Sequence, residues 1–179
     1  YQDSTLGYAG RLDPMAEGLL LVLIDDENKN RKAYERLEKT YDFEVLLGIE
    51  TDTYDVMGII NSKPQVANIP IEEEIFNKSL QTIVGTFDQS YPPYSAARVQ
   101  GKPLYYWARA GKIDQIAIPS KKVEVTSIRL NSSTLLTVDQ ILESVIKRIS
   151  QTKGEFRQEE IINSWKDWAN EMKQNNIHT

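Results

Sequence analysis

Residues 7–24 read GYAGRLDPMAEGLLLVLI, and this stretch determines more of the predicted structure than any other. It places the carboxylate of Asp13 between Gly10 and Gly18 and directly before Pro14. Glycine adopts backbone conformations that other residues avoid, and proline fixes its own φ, so this segment can hold its carboxylate in a defined position. Positioned carboxylates suit covalent and acid–base catalysis. The same spacing is also typical of an ordinary surface turn, so both interpretations stay open.

The rest of the chain predicts interspersed strands and helices. The apolar run Leu19–Ile24 predicts a strand buried on both faces. Further strands are predicted at 40–49, 58–61 and 123–130, and helices at 27–39, 71–84, 103–110, 138–149 and 155–172. Gly85 is expected to end the helix over 71–84. Because no regular βαβ repeat is present, the pattern predicts the α+β class with a mixed sheet.

Composition restricts the chemistry. A chain of 179 residues, 40% of them hydrophobic, can form one domain with a core. There is no cysteine, and the single histidine, His178, is expected in a disordered C-terminal tail, so thiolate and histidine catalysis are disfavoured and no metal is expected. We predict a soluble cytoplasmic protein, because no apolar run could span a membrane. The net charge of −5 mildly disfavours a nucleic-acid partner.

Four segments, in the same order as in the family, resemble the TruB-type tRNA pseudouridine synthases. Residues 7–18 resemble that family's catalytic loop, and Lys39-Thr40-Tyr41 resembles its Lys-x-Tyr element. Residues 48–58, GIETDTYDVMG, match its Gly-x-x-Thr-Asp-Thr-x-Asp-x-x-Gly element. Residues 89–111 resemble its Pro-Pro-x-Tyr-Ser-Ala loop and the segment after it, although Tyr94 here directly follows the proline pair. The resemblance covers about residues 4–128.

The resemblance implies a fold and a reaction. The fold is a mixed, largely antiparallel sheet flanked by helices. The reaction is the isomerisation of a uridine in the T-loop of tRNA to pseudouridine, which needs no cofactor, and the implied partner is the T-arm stem-loop. By the same resemblance Asp13 is the nucleophile, and Tyr41 stacks on the flipped base and takes the C5 proton. A monomer is expected.

The resemblance also implies a set of RNA-contacting residues, which comprises Tyr8, Gly10, Arg11, Leu12, Lys39, Tyr41, Tyr94, Ser95, Arg98 and Lys102. Tyr8 departs from the commonest pattern, which has histidine there. A tyrosine can stack and donate one hydrogen bond but cannot become cationic. Lys39 is expected to orient the loop or to contact a phosphate.

Asp52 and Asp55 form an acidic pair inside the third segment. The ligand spacing and the closing glutamate of a calcium-binding EF-hand are missing, so we expect no calcium there. The two carboxylates are expected instead to cap a turn and to hold neighbouring loops by hydrogen bonds.

Two elements of the family have no counterpart in the chain. One is an early Lys-Pro-x-Gly-x-Thr-Ser element, and the other is a later Gly-Thr-Tyr-x-Arg element whose arginine supports the catalytic aspartate. We therefore expect residues 1–179 to form one incomplete catalytic domain, which by itself turns over little or no RNA. Residues 131–179 are expected to be a helical insertion or C-terminal extension, and Thr152–Trp168 resembles an insertion of some members.

Two other functions stay open at the level of sequence. The first is a non-catalytic RNA-binding fragment of the same fold that lacks part of the site. The second is a carboxylate hydrolase that uses Asp13, which would need a second carboxylate at a defined separation. Nothing in the sequence points to that second carboxylate.

Overall fold

The structure, a computed structural model, describes residues 3–62 and 72–174. Its strands are β1 (Leu6–Ala9), β2 (Leu21–Ile24), β3 (Gly85–Ser90), β4 (Arg98–Val99), β5 (Lys102–Pro103) and β6 (Ser120–Val125). Its α-helices are α1 (Arg31–Tyr34), α2 (Glu73–Gln81), α3 (Leu104–Arg109), α4 (Val138–Gln151) and α5 (Gln158–Gln174). Short 3-10 helices span Asp25–Asn30 and Ile113–Gln115. This mixture of helices and antiparallel strands agrees with the predicted α+β class.

The described strands form three antiparallel pairs. β1 pairs with β2, β3 with β6, and β4 with β5. In the first pair Leu6 lies opposite Ile24, and in the second Gly85 lies opposite Val125. The described part of the chain therefore contains three two-stranded sheets where the sequence predicted one mixed sheet. The hairpin of β1 and β2 matters most for the site, because it presents residues 10–20 at one end.

The main core lies around the hairpin of α4 and α5. α4 begins with a capping box, in which the Thr137 side chain and the Gln140 side chain bind each other's backbone N–H groups. Apolar residues at helical spacing on both helices face each other and are buried: Val138, Ile141, Val145, Ile149, Ile161, Trp165, Trp168, Ala169 and Met172. The Trp165 and Trp168 rings meet edge to face at 5.7 Å. Side chains from 46–60, including Ile49 and Ile60, pack against this cluster.

The burial predicted for Leu19–Ile24 is wrong. Leu23 is 3% exposed, whereas Leu19 is 98% exposed and Val22 is 56% exposed. β1 pairs with β2 along one edge, and the face of β2 that carries Val22 stays exposed among the described residues. The helix predicted over 27–39 is also shorter than expected. A 3-10 helix is followed by α1, which has only four residues and buries none of their side chains. Such short helices gain little from packing.

The strand predicted over 40–49 is absent from the structure. Tyr41 is 72% exposed and Phe43 is 67% exposed, while Leu46 and Ile49 pack on the helical core. Apolar and polar residues do alternate in this segment. A strand also needs a neighbouring strand that pairs with its backbone N–H and C=O groups, however, and none lies beside residues 40–49 in the described ranges. The strand predicted at 58–61 is reduced to a single bridge between Thr51 and Ile60.

The three helices predicted in the second half are confirmed. α3 follows Pro103, and Gly111 lies just beyond its end with φ of +64°. α4 and α5 each differ from the predicted bounds by two or three residues. The helix predicted over 71–84 is observed as Glu73–Gln81, while Ile71 lies outside the described residues, as does His178.

Two boundaries differ from the sequence prediction because of strand pairing. Gly85 does not end α2, which stops at Gln81, but begins β3. The strand predicted over 123–130 is observed as Ser120–Val125, because it extends only as far as β3 pairs with it.

Candidate active site

The loop of residues 10–20 joins β1 to β2 and contains Asp13. Gly10 has φ of +84° and Gly18 has φ of +151°, so each adopts a conformation that other residues rarely adopt. Inside the loop the Ala16 N–H donates to the Asp13 carbonyl at 2.9 Å and forms a turn. The glycine-bounded loop predicted from the sequence is thus present, at the end of a paired hairpin.

Asp13 and its neighbours Arg11 and Leu12 are exposed on this loop. An exposed carboxylate is accessible to a large polyanionic substrate. No ion pair joins Arg11 to Asp13, both of which lie in the described part of the chain. The structure therefore offers Arg11 no role in orienting Asp13.

Tyr8 lies on β1, opposite Val22 of β2, and is 40% exposed. The Arg31 guanidinium of α1 lies 5.5 Å from the centroid of its ring. A cation over one ring face supports the ring and adds positive charge beside it. A positive charge therefore lies beside Tyr8, although the tyrosine side chain itself cannot become cationic.

Lys39 and Tyr41 lie after α1, on an irregular segment. The Lys39 ammonium donates to the carbonyls of Glu35 and Leu37, at 2.9 Å each. These bonds satisfy carbonyls at the C-terminal end of the helical region, where a positive charge is favourable. Lys39 thus orients its own segment, and Tyr41 follows it with its ring largely exposed.

Tyr94 and Ser95 lie between β3 and β4, after the proline pair. Tyr94 is partly buried, and the Arg157 guanidinium lies 4.7 Å from the centroid of its ring. Burial raises the pKa of the Tyr94 hydroxyl, Asp52 raises it further, and the positive charge of Arg157 opposes the shift. The Ser95 backbone is tied to both sides, since its N–H donates to Pro92 and its carbonyl accepts from Tyr105.

Arg98 and Lys102 flank the tight turn between β4 and β5. The Arg98 guanidinium donates to the Gly101 carbonyl at 2.9 Å, which braces the turn. The Lys102 ammonium donates to the Tyr106 hydroxyl at 2.9 Å and lies 4.0 Å from the Tyr106 ring centroid. That hydrogen bond lowers the pKa of Tyr106. An exposed lysine beside exposed aromatic rings is suited to a phosphate and its neighbouring base.

The segment 48–58 folds into a compact loop held by its two aspartates. Asp52 Oδ1 accepts from the Ile59 N–H at 2.8 Å, and Asp55 Oδ1 accepts from the Met57 N–H at 2.9 Å and from the Thr53 hydroxyl. The carboxylates thus act as turn-capping groups, as the sequence predicted. We call residues 48–58 the motif loop.

Sequence reasoning missed Arg157, which binds the motif loop from a distant part of the chain. Its guanidinium lies 3.0 Å from Asp52 Oδ2, and both side chains are less than a quarter exposed. No spacing rule relates residues 105 positions apart, so no sequence signal could have identified this pair.

The predicted site residues fall into three groups. Tyr8, Gly10, Arg11, Leu12 and Asp13 share one hairpin; Lys39 and Tyr41 follow α1; and Tyr94, Ser95, Arg98 and Lys102 lie around β4 and β5. α1 packs on β1, which brings the first two groups to neighbouring elements. Among the described residues, no hydrogen bond or ion pair joins the Asp13 loop to Tyr41 or to Tyr94.

The described ranges contain neither a cluster of metal-ligating side chains nor a membrane-spanning helix. Residues 3–62 and 72–174 contain no group of three or more carboxylate or imidazole side chains arranged to hold a metal ion. None of the helices described there is long and apolar enough to cross a bilayer.

Comparison with known proteins links these elements to one family. The N-terminal domain of the TruB family pseudouridylate synthases matches residues 1–156. Tyr8, Asp13, Tyr41, the motif loop and Tyr94 all lie inside this range, whereas Arg157 and α5 lie beyond it.

Individual relatives agree with this match. The tRNA pseudouridine synthase B of Syntrophus aciditrophicus is 37% identical over 131 residues, which is 72% of this chain and 40% of that protein. The enzyme of the same name from Oceanobacillus iheyensis is 32% identical over 87% of this chain and 49% of its own length. The one from Malacoplasma penetrans is 31% identical over 83% of this chain and 60% of its own length. The chain thus spans about half the length of these curated relatives, and it belongs to the TruB family of pseudouridylate synthases.

Proposed function

We propose that the full-length protein isomerises a uridine in the T-loop of tRNA to pseudouridine. The bond between ribose C1′ and uracil N1 breaks, and a bond between C1′ and C5 forms. N1 gains a proton and C5 loses one, so the atoms balance within the nucleotide and no co-reactant is consumed. The names of the relatives, tRNA pseudouridine synthase B, support tRNA as the substrate.

The observation on which this proposal depends is the exposed carboxylate of Asp13 on a loop bounded by two positive-φ glycines. In this proposal the Asp13 carboxylate bonds to ribose C1′ as the bond from C1′ to uracil N1 breaks, and C5 of the rotated uracil then displaces it from C1′, so that the free carboxylate is regenerated. The loop of residues 10–20 connects the two strands of one hairpin, so its ends are held by the pairing of β1 with β2. Anchoring at both ends restricts the positions that Asp13 can take, which supports its proposed role as a reacting group.

Tyr41 is proposed to cover the flipped uracil and to take the C5 proton. Its ring is exposed and lies two residues after Lys39, whose bonds to the end of the α1 region orient the segment. A phenol can stack through its ring while its oxygen exchanges a proton.

The residues around β4 and β5 are proposed to hold the T-arm. Flipping a base costs a few kcal/mol, which contacts to phosphates and stacking on aromatic rings offset. Lys102, beside Tyr106, and the Tyr94 ring supply both kinds of contact. Tyr8, with Arg31 over its ring, is proposed to stack on a base displaced by flipping.

We further propose how the chain contributes to the complete protein. Residues 1–179 belong to one catalytic domain, in which residues 131–179 form a helical insertion and the separate strand pairs join one mixed sheet of pseudouridine-synthase type. Exposed apolar residues on β2, such as Val22, support an additional sheet layer or strand in that domain. The enzyme is proposed to act as a cytoplasmic monomer.

Tritium release tests this function. The full-length protein is incubated with a tRNA transcript that carries tritium at uridine C5, and the label released to water is counted. We expect release by the wild type, and none above background after Asp13→Asn with binding of the tRNA kept. The matched control is Asp26→Asn, which makes the same change at a 91% exposed side chain in the 3-10 helix after β2 and is expected to retain activity.

The outcome separates this function from its alternative. Binding of the tRNA without release by the wild type would favour a non-catalytic RNA-binding protein of the same fold. Release that survives Asp13→Asn would overturn the assignment of the nucleophile.

A further inference from the structure

Arg157 connects three parts of the molecule that are far apart in sequence. It lies between α4 and α5, its Nη2 donates to Asp52 of the motif loop at 3.0 Å, and its guanidinium faces the Tyr94 ring at 4.7 Å. Its backbone φ of +61° is unusual for a residue other than glycine. Such a conformation is strained and persists where the surrounding structure stabilises it.

Helix α5, which follows Arg157, is held in place by hydrogen bonds and by burial. The Trp165 indole N–H of α5 donates to the Gly58 carbonyl at 3.2 Å, and the Ser164 hydroxyl accepts from the Ile60 N–H at 3.0 Å. Ile161 and Trp165 are almost fully buried in the helical core. Helix α5 is therefore fixed to the end of the motif loop, and Arg157 precedes it by one residue.

The partner carboxylate is also fixed. Asp52 uses Oδ1 to accept from the Ile59 N–H and presents Oδ2 to Arg157. The Tyr94 hydroxyl lies close enough to Asp52 for the carboxylate to raise its pKa. Arg157 and Asp52 are each about three-quarters shielded from solvent, so their attraction is screened less than that of a surface pair.

We propose that Arg157 is a positioning residue for the RNA-binding loop. By pairing with Asp52 and covering the Tyr94 ring, it ties the loop of Tyr94 and Ser95 to the helical hairpin, so that the loop meets the T-arm in one conformation. This role rests on the proposed function of Tyr94 in binding RNA. Arg157 lies one residue beyond the range 1–156 that matches the family.

The proposal separates binding from chemistry. Loss of Arg157 leaves the Asp13 loop untouched, because no hydrogen bond or ion pair joins the two in the described residues. The loop of Tyr94 would then sample several conformations, and RNA binding would select among them at a cost in affinity. We expect Arg157→Gln to raise KM for a T-arm stem-loop by about tenfold, as the loss of one partly buried cation–π and ion-pair contact implies, and to leave kcat within about twofold.

The first test needs no RNA. Hydrogen–deuterium exchange of the full-length protein is followed at residues 91–105, where the Ser95 and Tyr105 amides are hydrogen-bonded. Arg157→Gln is expected to accelerate exchange there, and Arg157→Lys, which keeps the charge, to do so less. The matched control is Arg148→Gln, which removes an exposed arginine paired with Glu44 from the same hairpin and should leave exchange at 91–105 unchanged. Unchanged exchange in Arg157→Gln would overturn the proposal.

The second test measures kcat and KM of the same variants by tritium release. A raised KM in Arg157→Gln, with partial recovery in Arg157→Lys and none of the effect in Arg148→Gln, supports positioning. An equal fall in kcat for Arg157→Gln and Arg148→Gln would indicate general destabilisation and overturn it. If the wild type neither releases tritium nor binds tRNA, the proposed function is overturned, and the role of Arg157 with it. If the wild type is active and Arg157→Gln leaves KM unchanged, the positioning role alone is overturned.

Discussion

The Trp165 indole N–H donates a hydrogen bond to the carbonyl of Gly58, 107 residues away, at 3.2 Å. Trp165 is 1% exposed and belongs to the core of the helical hairpin, whereas Gly58 ends the motif loop. The bond thus joins the part of the chain that matches the family to a helix that lies outside the match. Five predictions follow from this and the other contacts of the site.

Trp165→Phe should destabilise the protein more than Trp168→Phe does. Both changes replace one indole of the same ring pair with a smaller phenyl ring. Only the first also leaves the buried Gly58 carbonyl without its hydrogen-bond donor. A buried acceptor without a partner costs about 1–3 kcal/mol. Urea unfolding of the two variants measures the difference, and equal losses of unfolding free energy would contradict the importance of the bond.

Gly58→Ala should disrupt the motif loop for a steric reason. A Cβ at this position would come within 2.6 Å of Thr51 Cβ and 2.8 Å of Asp52 Oδ1. We expect a loss of about 1–3 kcal/mol, typical of overpacking, together with a shift of the Trp165 indole N–H signal in NMR spectra.

The control for Gly58→Ala is Gly101→Ala. A Cβ at Gly101 meets no atom within 4 Å, although its φ of +79° makes the substitution strained. It should cost about 1 kcal/mol and leave the Trp165 signal in place. A shifted signal in this variant as well would show that the signal does not report on the motif loop.

Tyr94 should make stability depend on pH in the alkaline range. Its folded pKa is raised above the ordinary value of about 10, mainly by burial, so the folded state holds the proton more tightly than the unfolded state. The resulting stabilisation is complete below pH 10 and is lost as pH rises through the folded pKa. The Glu27 carboxylate also raises the pKa of Tyr34, so absorbance titration of the wild type at about 295 nm should show two late-titrating phenols, of which Tyr94→Phe lacks one. The unfolding free energy of this variant should fall less above pH 10. The shift would be contradicted if the amplitude that Tyr94→Phe loses came from a phenol that titrates at the ordinary pKa of about 10.

Tyr41→Phe should slow product formation while RNA binding is kept. Phenylalanine preserves the stacking face but cannot accept the C5 proton, and acid–base groups typically contribute about a hundredfold or more in rate. The control is Tyr54→Phe, which alters a tyrosine of similar exposure, 68% against 72%. Single-turnover rates with the T-arm stem-loop measure the effect, and an unchanged rate would rule out the proton-transfer role.

Lys102→Gln should reduce the salt dependence of tRNA binding. Each phosphate contact adds about 0.9 to the slope of log K against log salt concentration for a duplex, so loss of one contact should lower the slope by about that amount. Lys29→Gln, which alters an exposed lysine paired with Asp26, should leave the slope unchanged. Equal slopes for the wild type and Lys102→Gln would place the phosphate elsewhere.

Local signals in the sequence predicted the local features of this structure well. Apolar spacing predicted α4 and α5, and Pro103 with Gly111 bounded α3, because helix formation depends on neighbours within a few positions. The glycines around Asp13 likewise predicted its loop. The strand predicted at 40–49 was wrong, since the same alternation forms a strand only beside a partner, and the described chain supplies none there. The strand predicted at 58–61 is reduced to the single bridge between Thr51 and Ile60.

The sequence by itself determined the family, the loop with Asp13, and the helices of the second half, since all of these are recorded in residues close together in the chain. The tertiary structure decided which strands pair, how much of β2 is buried, and that Arg157 and Trp165 reach Asp52 and Gly58. Such contacts depend on how distant segments pack, and a contact between residues more than 100 positions apart produces no periodic pattern in the sequence.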